Sequence, residues 1–179
     1  MVNIQIFGGP GTGKSTTAAG LFYKMKTAGY KVEYITEYAK ELTFACEDTR
    51  LSDQLHILGE QHHRLKRLEG KVDYIIHDSP FVMGLMYLND NDTHLPKTEF
   101  KNLVLSMYYS YDSINIFLKR NKEIEYQKYG RSQELSEAIN IDIKIKTMLE
   151  NEGIKYTEFM AHEDTVDTIY KFIRGKDEK

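Results

Sequence analysis

The stretch Gly8-Gly9-Pro10-Gly11-Thr12-Gly13-Lys14-Ser15 constrains this chain more than any other part of it. It fits G-x-x-x-x-G-K-[ST] in full. An apolar run at 2–7 precedes it. The segment 14–28 follows, with Ala18, Leu21, Phe22 and Met25 on one helical face and Gly29 as a stop. A strand that turns through glycines directly into a helix must curl its backbone tightly, which aims N–H groups inward. With the positive end of the helix, those donors form an anion nest. Residues 8–16, Thr16 included, are therefore expected to hold nucleotide phosphates. Lys14 would bridge the outer phosphates and the Ser15 hydroxyl would ligate Mg²⁺, so ATP and Mg²⁺ are the implied cofactors. The bland alternative, a glycine turn that binds nothing, does not explain why strand and helix flank it.

The rest of the chain is organised around that unit. At 179 residues it suits one domain, 1–179, with the apolar and charged shares (41% and 28%) of an ordinary globular protein. A net charge of −3 makes a poor general nucleic-acid binder. No apolar run approaches the roughly 20 residues of a membrane span, and Met1-Val2-Asn3-Ile4 has no basic segment of a secretory signal. The single cysteine, Cys46, leaves no intramolecular disulfide and agrees with a reducing, cytoplasmic setting. Further strands are expected at 31–35, 72–77, 113–118 and 155–160, and further helices at 53–69, 98–109, 133–152 and 163–173. Ser52 is the expected N-cap of the second helix, and 175–179 an expected frayed tail. Alternation of strands and helices calls for a parallel α/β sheet with helices on both faces, and for a ligand at the carboxyl ends of the strands.

Asp78 is the second anchor. Tyr74-Ile75-Ile76-His77-Asp78 is an apolar strand ending in a carboxylate, placed to order the Mg²⁺ shell or to act as a base. The alternative is a turn or helix-cap aspartate, since Ser79-Pro80 follow. His77 beside it reads as a packed strand residue. The D-x-x-G of a switch GTPase is missing after Asp78, and Asn121-Lys122-Glu123-Ile124 fails the guanine-reading N-K-x-D. Paired acids of a hexameric remodelling ATPase are missing too, because Ser79 follows Asp78. A small kinase fits better. Residues 119–132, from Lys119 and Arg120 to Tyr129-Gly130-Arg131, read as a basic mobile lid, with Arg120 and Arg131 placed to grip phosphate. On charge alone the same segment is an ordinary surface loop.

These residues give the chain a specific resemblance. The loop, Thr36-Glu37-Tyr38-Ala39-Lys40-Glu41 after the second strand, Gln61, Asp78-Ser79-Pro80 and Tyr129-Gly130-Arg131 resemble the P-loop nucleoside and nucleotide kinase group. Within it they look most like the nicotinamide-riboside-kinase-like AAA-type ATPases, including members carried by bacteriophages, whose setting would be the host cytoplasm. The lid departs from that subgroup in being basic and lacking Trp. The resemblance implies a five-stranded sheet in the order 2-3-1-4-5 and makes Glu37 the acid that meets the acceptor hydroxyl. A helix-start role is the competing reading for Glu37. Gln54 and Gln61 share a helical face with Arg64; Gln61 and Arg64 are candidate substrate contacts, and 80–111 is a candidate substrate-covering region. The expected activity is ATP–Mg²⁺-dependent transfer of a phosphoryl group to a hydroxyl of a nucleoside, nucleotide or similar small molecule. Two alternatives stay open: a kinase acting on nucleic-acid hydroxyls, and a non-transferring ATP-binding regulator. Monomer and homodimer also both stay open.

Overall fold

The computed structural model describes residues 1–88, 94–127 and 134–177. Its strands are β1 Val2–Phe7, β2 Val32–Ile35, β3 Tyr74–His77, β4 Asp112–Lys119 and β5 Thr157–Met160. Its helices are α1 Lys14–Thr27, α2 Tyr38–Phe44, α3 Asp48–Ser52, α4 Gln54–Lys66, α5 Lys97–Tyr109, α6 Leu135–Asn151 and α7 Thr165–Asp177. A 3-10 helix spans Phe81–Tyr87. The strands form one all-parallel sheet in the order β2-β3-β1-β4-β5. Every strand therefore points its carboxyl end the same way, and the loop after β1 emerges between the ends of β3 and β4.

Period-2 alternation assigns the core. Ile4 and Ile6 of β1, Ile76 of β3 and Ile114, Ile116 and Leu118 of β4 pack against Ala18, Leu21 and Met25 of α1 and Ile169 and Ile173 of α7. The opposite face carries Phe7, Ile75 and Phe117 against Leu58 and Leu65 of α4, Phe81 of the 3-10 helix, Phe100 and Val104 of α5, and Ile145 and Leu149 of α6. That second face also buries polar groups. In register across it, Gln5 stands between His77 and Asn115, and Asn3 lies beside Ser113.

The boundaries differ from expectation in physically informative ways. β3 and β5 begin two residues later than the apolar runs suggest, at Tyr74 and Thr157. α4 is capped by Asp53, whose carboxylate accepts from the amides of Leu55 and His56; Ser52 instead ends α3. The two acceptor oxygens of an ionised carboxylate outcompete a hydroxyl for those amides. α7 continues to Asp177, so 175–177 is helix and not tail, because Ile169 and Ile173 anchor it on α1. The helices α2 and α3 are too short for hydrophobic periodicity to detect.

Candidate active site

The loop is built as its glycines require. Gly13 is the N-cap of α1 at φ 88°, a left-handed conformation that a side chain would strain. Gly11 is needed for space: a Cβ there would lie 2.6 Å from the ring of Tyr126. Within the loop, Thr12 Oγ1 donates to the Gly9 carbonyl at 3.0 Å and Lys14 Nζ donates to the same oxygen at 3.1 Å. Enclosure lowers the Lys14 pKa, while Glu37, Asp78 and Asp142 pull it back up and Arg120 adds to the lowering. Three carboxylates thus act on the charge of the loop lysine.

On the β3 side, Asp78 is almost fully buried, at 2% exposure. Its Oδ2 accepts from the Tyr34 hydroxyl at 2.7 Å. Its Oδ1 is buried without a hydrogen-bond partner among the described residues. The Tyr34 phenol also bonds Ser15; burial, then Asp78, pushes its pKa well above the usual tyrosine range. Ser15, Tyr34 and Asp78 therefore form one cluster from α1, β2 and the end of β3. Tyr34 was not expected from sequence, where a half-buried aromatic on a strand carries no distinguishing signal.

Glu37 sits at the N-cap of α2 but makes no capping hydrogen bond to it. Burial raises its pKa, Lys14 opposes that, and the like charge of Asp78 adds to the rise. Arg64 grips both oxygens of Glu41 at 2.7 Å each and Glu60 at 3.0 Å, and lies 4.8 Å over the ring of Tyr38. It therefore ties α2 to α4, and its guanidinium is already engaged where a substrate phosphate was expected. Gln61 is buried and donates from Nε2 to the Ser79 carbonyl at 3.2 Å. Gln54 is buried beside Gly84 of the 3-10 helix.

The β4 side is organised differently. Arg120 donates from Nε to Asp142 Oδ2 at 3.0 Å and from Nη2 to the Pro10 carbonyl at 2.7 Å. Asp142 Oδ1 accepts from the Gly9 amide at 2.6 Å. Arg120 also lies 5.6 Å over the ring of Tyr126. Arg120, the arginine expected to reach nucleotide, also braces the loop, and Asp142, on α6, was missed altogether. Lys119, the first lid residue, pairs with Glu158. Arg131, with Tyr129 and Gly130, lies outside the described residues.

An all-parallel 2-3-1-4-5 sheet with a phosphate-type loop after its central strand is a P-loop NTPase fold. The sequence matches the model of the AAA domain family over residues 3–164, and the chain belongs to that family. Among solved structures it is similar to deoxyadenosine kinase from M. mycoides with bound dATP, with TM-score 0.54, 18% identity, 99% of this chain and 100% of that chain covered. The same kinase with the products dCMP and a flexible dCDP gives TM-score 0.50, 19% identity and 98% of each chain. At these identities the likeness is one of fold. No curated protein matches the sequence.

Proposed function

We propose that the protein is an ATP–Mg²⁺-dependent kinase that transfers a phosphoryl group to a hydroxyl of a nucleoside, nucleotide or similar small molecule. The observation that carries this reading is the pair of acids around Lys14. Asp78 has one buried carboxylate oxygen with no partner among the described residues, and Glu37 is raised in pKa without serving as a helix cap. A fold shared with a deoxyadenosine kinase supports the acceptor class. The nicotinamide-riboside-kinase-like and phage-type placement, and a cytoplasmic location, belong to the same reading. Among the described residues, no helix is long and apolar enough to cross a membrane.

The donor set fits Mg²⁺. Mg²⁺ keeps several waters and shares phosphate oxygens, so one or two protein oxygens suffice to hold it. Asp78 Oδ1 and the Ser15 hydroxyl are the groups this chain offers it. When bound, the ion offsets charge on the transferring phosphoryl group. Lys14 and the loop amides hold the phosphates. Tyr34 fixes Asp78 by one oxygen and leaves the other to face the ligand. Glu37, with its pKa moved toward neutrality, accepts the acceptor's hydroxyl proton. Gln61, held by the Ser79 carbonyl, is the candidate amide contact for the acceptor, under the cover of 80–111. Arg64 braces α2 and so aims Glu37. Arg120 holds the loop, leaving Arg131 as the arginine that the 119–132 lid brings over the phosphates.

A screen of nucleosides, nucleotides and DNA with free hydroxyls, using γ-labelled ATP, tests the reading. Glu37→Gln should keep ATP–Mg²⁺ binding and background hydrolysis while acceptor-dependent transfer falls by about 100-fold, the lower end for a general base. Unchanged transfer and acceptor affinity in Glu37→Gln would reduce Glu37 to a helix-start residue. Salt-steep binding of DNA with transfer to its hydroxyls would move the protein to the nucleic-acid class.

A further inference from the structure

At the opposite edge of the sheet, where β4 and β5 begin, lies a pocket of about 370 Å³. That volume falls within the range of small-molecule sites, about 300–1,000 Å³. Of the proposed kinase residues, only the far end of the 80–111 cover, at Tyr108, Tyr109 and Tyr111, reaches it.

Its walls are aromatic and held in place. Tyr108 is buried at the end of α5 and meets Tyr109 edge-to-face at 5.1 Å. The Tyr109 hydroxyl donates to the Glu152 carbonyl at 2.7 Å, and the Tyr111 hydroxyl to Glu69 Oε1 at 2.6 Å. Across the pocket, the Tyr156 ring rests on Phe117 at 5.6 Å. Rings fixed in this way stack on a planar ligand with little further loss of side-chain entropy.

The floor is polar and incompletely satisfied. Asn115 donates from Nδ2 to the Lys155 carbonyl at 2.8 Å, while its Oδ1 is buried with no partner among the described residues. Behind it, Gln5 is 5% exposed; its Nε2 is committed to Ser113 Oγ at 2.9 Å and its Oε1 likewise has no partner. Tyr108 and Tyr111 line both the pocket and this interior layer. Buried acceptors without donors disfavour the closed state unless a donor arrives. Among the lining residues Lys155 and Lys176 stand against one acid, Asp112, while Glu69 and Glu150 lie behind the Tyr111 and Tyr156 hydroxyls.

We infer that this pocket binds a nucleoside monophosphate bearing an amino group on its base, at a site separate from the P-loop. The base stacks among the tyrosines, its exocyclic amine donates to Asn115 Oδ1, and the phosphate pairs with Lys155 and Lys176. The assignment does not rest on kinase activity.

Titrating the full chain with AMP, followed by amide ¹H–¹⁵N shifts, tests it. AMP should perturb Ser113, Asn115, Lys155 and Tyr156, and UMP, which lacks the amine, should do so more weakly. Reversing both rim charges, Lys155→Glu with Lys176→Glu, touches exposed side chains and should weaken AMP at these amides at least tenfold. Asn115→Leu should abolish the preference for AMP over UMP. AMP shifts confined to the loop end, an affinity unchanged by the double charge reversal, or equal shifts from inorganic phosphate alone would each overturn the assignment.

Discussion

The two flanks of the phosphate loop are both charged, yet they are finished to different degrees. On the β4 side, Arg120, Asp142 and the loop backbone satisfy one another, with both side chains mostly enclosed at 13% and 16% exposure. On the β3 side, Asp78 keeps a buried oxygen with no partner among the described residues, and burial raises the Glu37 pKa. Closed networks make scaffolding, whereas charges kept short of partners are the ones a ligand completes. Strain of this kind is expected at reacting groups and is offset elsewhere in the fold.

Four experiments can break or sharpen that contrast. The largest effect belongs to the finished flank. Asp142→Ala leaves Arg120 enclosed and unpaired, which should cost about 3–5 kcal/mol of stability, read by urea unfolding. An unchanged midpoint would mean that the network braces nothing. On the unfinished flank the balance inverts. Asp78→Asn should lower background ATP hydrolysis and transfer by about 100- to 1,000-fold, with no fall in melting temperature, because the amide can still accept from Tyr34. A variant that melts early yet keeps its turnover would place Asp78 among the scaffolding.

Next comes His77, which burial holds at a pKa of about 4, below the usual 6.5. The unfolded chain takes up this proton first as pH falls. Stability should therefore be flat above pH 6.5 and decline between 6.5 and 4, by about 3 kcal/mol in all. His77→Gln should flatten that part of the curve, and a slope that survives the substitution would assign it to other groups. The smallest effect is ligand linkage. ATP–Mg²⁺ at 100 times its dissociation constant should add about 2.7 kcal/mol, seen as a melting shift of several degrees. Lys14→Ala should remove most of that shift. A wild-type chain indifferent to saturating ATP–Mg²⁺ would sink the nucleotide reading.

The difference between the flanks also separates what was legible in the sequence from what was not. Gly8 to Ser15, Asp78 and Glu37 could be read because each belongs to a contiguous strand-then-loop pattern, and strand order alone places their ends together. Asp142 could not. It sits in Ile139-Asn140-Ile141-Asp142-Ile143-Lys144-Ile145, where apolar and polar residues alternate and Asp142 resembles a solvated helix position. In the helix Ile145 is buried while Ile139 and Ile143 are exposed, so the pattern itself hid which face met the loop. The Asp142 partner of Arg120 is equally illegible, since nothing local shows that a carboxylate on α6 will pair with it. Arg64 is a similar case. Its partners Glu41 and Tyr38 lie on α2, a helix too short for periodicity to reveal.

The bond between Gly9 and Asp142 joins residues 133 apart in the chain. A contact of that span closes late, after shorter-range pairings have reduced its entropic cost. During synthesis the glycine loop leaves the ribosome early, followed by its helix α1. Its bracing carboxylate arrives only with the last quarter of the chain. Competence to hold phosphate should thus mature after most of the sheet has formed. On a stalled-chain series ending before and after α6, nucleotide protection of the loop would act as a clock for the final step of folding.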